Sequence, residues 1–138
     1  MRVVDRSGTV PRWRVRRVRH LSGRENGGKH NIYVYAYDQK GMRVNADRFR
    51  LGWTWEGRRP NEEAPAKRFD KPLDEPHANV DIYWGQKVAV WIEGQDIASD
   101  VVENMHTAHD DEGPGNSRGH HSFEVVFELF VPPGVEVN

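Results

Sequence analysis

Gly119-His120-His121-Ser122-Phe123-Glu124-Val125-Val126-Phe127-Glu128-Leu129-Phe130 is the longest run of strand-forming residues in the chain. On a period of two, His121, Phe123, Val125, Phe127 and Leu129 share one face, and His120, Ser122, Glu124, Val126, Glu128 and Phe130 share the other. The first row predicts the core-facing side of a strand in a sheet. The adjacent histidines at its start raise the question of metal binding or catalysis.

Other segments repeat this alternation. His30–Tyr37 places Ile32, Val34 and Ala36 in one row and Tyr33, Tyr35 and Tyr37 in the other. Phe49, Leu51, Trp53 and Trp55 form a further apolar row. Val80–Trp84 and Lys87–Ile92 read as strands around Gly85-Gln86. In Arg12–Leu21, Trp13 and Val15 alternate with arginines, and the phase then slips at Arg16-Arg17 before Val18, which predicts a β-bulge. Two polar stretches break the pattern. Residues 57–79 carry Pro60, Pro65, Pro72 and Pro76, which suit neither a helix nor a central strand. Residues 107–119 form the second loop. Ile97–Met105 is ambiguous, with Ser99-Asp100 suited to capping a helical turn or to a local turn. About seven short strands, frequent Gly and Pro turns and no long amphipathic helix predict an all-β, antiparallel β-sandwich. Its expected extent is 12–131, with a flexible arm over 1–11 and a loose tail over 132–138.

The 138 residues fit a single domain, and the 5 Trp, 5 Phe and 4 Tyr can supply much of its core. There is no cysteine, hence no disulfide and no thiolate chemistry. No apolar run reaches the ~20 residues of a membrane-spanning helix. The first residues lack the apolar core of a signal peptide. Net charge is -1, but residues 1–24 hold eight arginines against Asp5, and residues 93–138 hold ten acids against Arg118. This asymmetry suits a nucleic-acid-binding arm less well than a basic strand lying beside an acidic one.

Ile32-Tyr33-Val34-Tyr35-Ala36-Tyr37-Asp38-Gln39-Lys40-Gly41-Met42-Arg43-Val44 resembles the opening hairpin of transthyretin-like and carboxypeptidase-regulatory-like sandwiches. A wider set occurs in order: Glu25-Asn26 before His30–Val34, then Trp53, Lys71-Pro72, Ser99-Asp100 and His120–Phe127. With these, roughly residues 12–131 resemble the non-catalytic β-sandwich domains appended to phage and bacterial cell-wall hydrolases and to other phage-associated proteins. The resemblance implies an Ig-like accessory module with no catalytic residues to carry over. The arginine-rich start and the lack of an attached hydrolase depart from that group, and point to a free-standing module such as a virion decoration protein.

Several residue sets compete as sites. His106, His109, Asp110 and His121 are the candidate metal ligands, since imidazole and carboxylate together suit zinc, nickel or manganese. His120 and His121 point to opposite faces, however, and no His-Glu-x-x-His pattern is present. The favoured expectation is no metal or other cofactor, with His121 packed inside and its ring bonded to backbone or loop groups, and His120 on the surface. Asp110-Asp111-Glu112-Gly113 lacks the spacing of an EF-hand loop. No serine lies in Gly-x-Ser-x-Gly, and Ser122 sits on the opposite strand face from His121. An enzyme is therefore not expected.

The candidate binding residues are Tyr33, Tyr35, Tyr37 and Trp84, whose flat amphipathic rings suit sugars or protein partners, and Arg12, Arg14 and Arg16. The leading expectation is a phage-associated structural or decoration module, homo-oligomeric or assembled on a larger particle. Its partners would be other virion or cell-wall-associated proteins, with glycans as a further class, no membrane, and nucleic acid only as a minor alternative through the arginine strand. It would reside in the virion, or in the host cytoplasm before assembly. The alternatives are a carbohydrate-binding module using the same tyrosines, and a metal-dependent enzyme built on the His/acid loop.

Overall fold

A computed structural model describes residues 1–4, 11–22, 29–83, 85–107 and 121–135. Among these the protein is all-β, with ten strands: β1 (Arg2–Val4), β2 (Arg12–Leu21), β3 (Asn31–Tyr37), β4 (Arg50–Trp55), β5 (Lys67–Arg68), β6 (Ala78–Asp81), β7 (Val88–Glu93), β8 (Ala98–Ser99), β9 (Val101–Met105) and β10 (Ser122–Phe130). They form two five-stranded sheets, β1-β9-β7-β4-β5 and β6-β3-β10-β2-β8, in a sandwich-like arrangement. The strands not expected from sequence are β1, β5 and β8, each two or three residues long and too short to display a period of two, and β9, which forms in the ambiguous stretch Ile97–Met105. Within the expected flexible arm, Arg2–Val4 pair instead with Val101–Glu103 and close that edge of β9.

The opening stretch supplies the middle of the second sheet. β10 pairs antiparallel with β2 and parallel with β3, and β8 runs parallel to β2. The expected wholly antiparallel pattern therefore holds for the first sheet alone. A parallel pair cannot be joined by a tight hairpin and needs a long crossover. Here the crossover from β3 to β10 contains the greater part of the first sheet.

Alternation explains the core. His121, Phe123, Val125, Phe127 and Leu129 are all buried, as are Ile32, Val34 and Ala36 on β3. All of these but His121 join Leu51, Val88, Val90, Ile92, Val102 and Met105 of the first sheet in one hydrophobic cluster. Trp13 of β2 meets Phe49, at the entry to β4, edge to face with ring centroids 5.1 Å apart. The predicted bulge is present: Val126 faces Arg17 and Phe127 faces Val15, so Arg16 is the supernumerary residue. Past it Val18 returns to the inward row opposite Val125.

The chain changes sheet at Asp100, the single residue between β8 and β9. Neither a helical cap nor a simple turn forms there. The Asp100 amide donates to the Trp13 carbonyl at 2.8 Å. Its carboxylate accepts from Arg12 Nη1 at 2.6 Å and from the Val15 amide at 3.0 Å. Ser99 Oγ accepts from the Ile92 amide of β7 and donates to the Asp100 carbonyl. This two-residue corner is bonded to both sheets. Both partners of the ion pair are largely withdrawn from solvent, with side-chain exposures of 15% for Arg12 and 5% for Asp100. A buried carboxylate is tolerable when it is paired and hydrogen-bonded, and costly when its counter-ion is left alone. Asp100→Ala is expected to lower unfolding free energy by about 3–5 kcal/mol in urea titrations. Asp100→Asn, which keeps an acceptor for Val15, should cost less. A loss below about 1 kcal/mol for the alanine variant would show that other contacts hold the corner.

Candidate functional site

The outer face of the second sheet carries most of the residues singled out from sequence. Register places Tyr33 beside Glu124 and Arg19, Tyr35 beside Val126 and Arg17, and Tyr37 beside Glu128 and Arg14. The face is therefore ruled into a tyrosine column, a middle column of Glu124, Val126 and Glu128, and an arginine column. Glu128 receives two arginines, Arg14 Nη2 at 2.9 Å and Arg16 Nη1 at 3.1 Å. Arg17 pairs with Glu124, and Arg14 also lies over the Phe130 ring at 4.9 Å. Because the bulge frees Arg16 from the ladder, it can reach the same carboxylate as Arg14. Arg12 leaves this face and is taken up by Asp100. The basic start and acidic end thus neutralise each other along one strand pair. Exposed pairs of this kind contribute only about 0–1 kcal/mol each.

The tyrosines are half-buried. Burial first, then the nearby Asp81 carboxylate, raises the Tyr33 hydroxyl above its usual pKa, against an opposing hydrogen bond to Ser122. Burial, with Glu124 adding to it, raises Tyr35. His77, buried at the end of the long loop, packs its ring against Tyr35 and Tyr37 at centroid distances of 5.3 and 5.1 Å. Its Nδ1 accepts the Ala36 amide at 2.9 Å, so that nitrogen is unprotonated in the fold. Beyond Tyr37 lies a cleft of about 340 Å³ bordered by Arg16, Asp38, Gln39, Gly41 and Glu128.

The 57–79 loop is pinned along its length. Trp53 Nε1 donates to the Pro65 carbonyl at 2.7 Å, and Lys67 Nζ lies 5.4 Å from the Trp53 ring centre. β5 pairs with β4, and Phe69 is buried in the core. Arg43 donates to the carbonyls of Lys71 at 2.5 Å and Pro72 at 3.2 Å. The turn that follows, closed by Glu75 N–H to Pro72 O, leaves Leu73 91% exposed. Met42, next to Arg43, is 64% exposed.

At the other end of β10, His121 is buried as expected, but its ring partner is one that the sequence did not suggest. His20 Nε2 and His121 Nδ1 are 2.7 Å apart, with the rings stacked at 4.8 Å. One nitrogen must donate and the other accept, so this contact requires at least one neutral ring. His20 carried no signal of its own, because the pairing arises only from the β2–β10 register. Ser122 Oγ donates to Lys29 O and accepts from Asn31 N, tying β10 to the start of β3. His106 follows β9, whereas His109, Asp110, His120 and Trp84 lie outside the described residues. Among the described residues no group of three or more His, Asp or Glu side chains is arranged to hold a metal ion. Nor is any helix there long and apolar enough to cross a membrane.

Compared with known proteins, the chain matches no family model, no curated protein and no solved structure.

His77 provides a measurable check on this face. Burial, and secondly the Arg43 guanidinium, holds its pKa below the usual histidine value of 6.5. A histidine depressed in the fold stabilises above its unfolded pKa, and that contribution is lost as pH falls, because the unfolded chain then takes up the proton more readily. Stability is therefore expected to fall below a pH of about 6.5. His77→Gln should flatten this slope in denaturation measured across the range. An unchanged slope would exclude His77 as its source.

Proposed function

We propose that this chain is a non-enzymatic binding module that works by protein–protein assembly, as a virion-associated decoration or accessory protein. The observation that carries this reading is the pinned loop. Leu73, 91% exposed, stands at the tip of a turn clamped by Arg43 and followed by the buried His77. A pre-ordered apolar projection forfeits little conformational entropy when it enters a partner's pocket. Met42 supplies a second exposed apolar group beside the same clamp. The neutralised arginine–glutamate face is a less favourable phosphate-binding surface, since its cations already have carboxylate partners.

The resemblance of residues 12–131 to accessory domains of phage and cell-wall proteins supports this setting, and with it an Ig-like or transthyretin-like assignment of the sandwich. Light scattering combined with co-sedimentation on phage particles tests the reading. The protein should be oligomeric or particle-bound, and Leu73→Asp should weaken that association by about tenfold to a hundredfold without loss of folded signal. A monomer at every salt concentration, with no affinity for particles, would sink it.

A further inference from the structure

The outer face of the first sheet is built differently from that of the second. Across the β4–β7 ladder Gly52 faces Trp91 and Thr54 faces Ala89. A Cβ added at Gly52 would lie 2.3 Å from Trp91 Nε1 and 2.4 Å from Cε2, so the indole lies across bare backbone. Glycine weakens a strand interior, and its presence there often marks a close approach that no side chain would permit. Trp91 Nε1 donates to Glu93 Oε2 at 3.2 Å, which fixes the ring from a second side.

Beside this half-buried ring the small side chains of Thr54 and Ala89 leave a depression. Two basins of about 660 and 500 Å³ meet there, sharing Thr54, Ala89 and Glu103. Gln95, Asp96 and Asn104 are the non-glycine residues with left-handed backbone among those described, at φ of 55°, 54° and 60°, and all three line these basins. Asn104 occupies the irregularity where β9 spends one more residue than β7, between the pairs Val90–Val102 and Val88–Met105. Such backbone is disfavoured for side-chain-bearing residues and tends to persist where it aims a functional group.

We propose that this trough binds a linear segment of a neutral polysaccharide, with Trp91 as the stacking platform. An indole held flat against a sheet offers its face to the C–H surface of a sugar ring. The larger basin has Glu93 and Asp96 as acceptors for hydroxyl donors, Gln95 as both donor and acceptor, and no lysine or arginine in its lining. The smaller basin adds Lys87, Glu56 and Arg2, the last paired with the shared Glu103, so it offers both donors and acceptors. In the larger basin, where Trp91 lies, phosphate, sulfate and uronate groups are disfavoured by like charge. Each basin falls within the roughly 300–1,000 Å³ typical of small-ligand sites, and their junction at Thr54 and Ala89 makes a run suited to several linked sugars. The site lies on the sheet opposite to the tyrosine row and takes none of its residues from the Leu73 loop.

Titration of the full chain with cellohexaose, chitohexaose, laminarihexaose and mannohexaose, followed by calorimetry and tryptophan emission, tests the proposal. Saturable binding to at least one of them is expected. Trp91→Ala should weaken it by roughly tenfold or more, and Thr54→Arg and Ala89→Arg, which fill the trough at surface positions, should abolish it. Thermal melts of each variant separate loss of binding from loss of fold. No binding to any of the four, or binding that survives both arginine variants, would overturn the proposal. So would loss on Tyr35→Ala with retention on Thr54→Arg, which would put the sugar on the other sheet.

Discussion

The structure depends on one buried charge pair. Asp100 stands where the chain leaves one sheet for the other, and its carboxylate is held by the Arg12 guanidinium and the Val15 amide, both of β2. An ion pair withdrawn from water is a weak source of net stability, but it is intolerant of the wrong neighbour. Here that intolerance acts as a register device. Sliding β2 by one residue would take Arg12 away from Asp100, turn Trp13 out of the core and leave a carboxylate without a counter-ion. The Arg16 bulge reinforces the same choice, because only with it do both Val15 and Val18 face inward.

The two outer faces express opposite uses of side-chain volume. On the second sheet, long residues lie over one another and their charges are matched along the β2–β10 pair. This is why a chain so unevenly charged along its length, with a net charge of only -1, does not expose a basic edge there. On the first sheet, Gly52, Thr54 and Ala89 withhold volume, and the indole of Trp91 lies in the space left. The first pattern suits a surface that rests against something. The second suits one that receives something.

How far the sequence could be read follows from the range of each interaction. Alternation within a strand is local, so the buried row of β10, the tyrosine row of β3 and the phase slip at Arg16-Arg17 were all legible. Pairings between strands are not local. His20 with His121, Trp91 across Gly52, and Arg12 with Asp100 join residues that carry no mark of each other until the register is known. The same limit hid the parallel pairing of β10 with β3, since a long intervening stretch is compatible with either direction. The tyrosines were visible as a row, but not the histidine that packs against two of them. Trp91 was visible as one tryptophan among five, whereas the trough around it is made by neighbours notable only for being small.

The central place of β10 bears on how the chain reaches this structure. β2 and β3 are far apart in sequence from the strand that both require, and they do not pair with each other. Until β10 docks, each presents an open edge, the state in which strands recruit neighbouring molecules. The loop closures involved are long, so folding should be slow for a domain of this size, with the second sheet completed last. During synthesis the arginines of β2 would stand without Glu124 and Glu128, and a like-charged edge repels its own copies. The charge columns that lie neutralised on the finished surface would thus serve earlier as protection for an unfinished sheet.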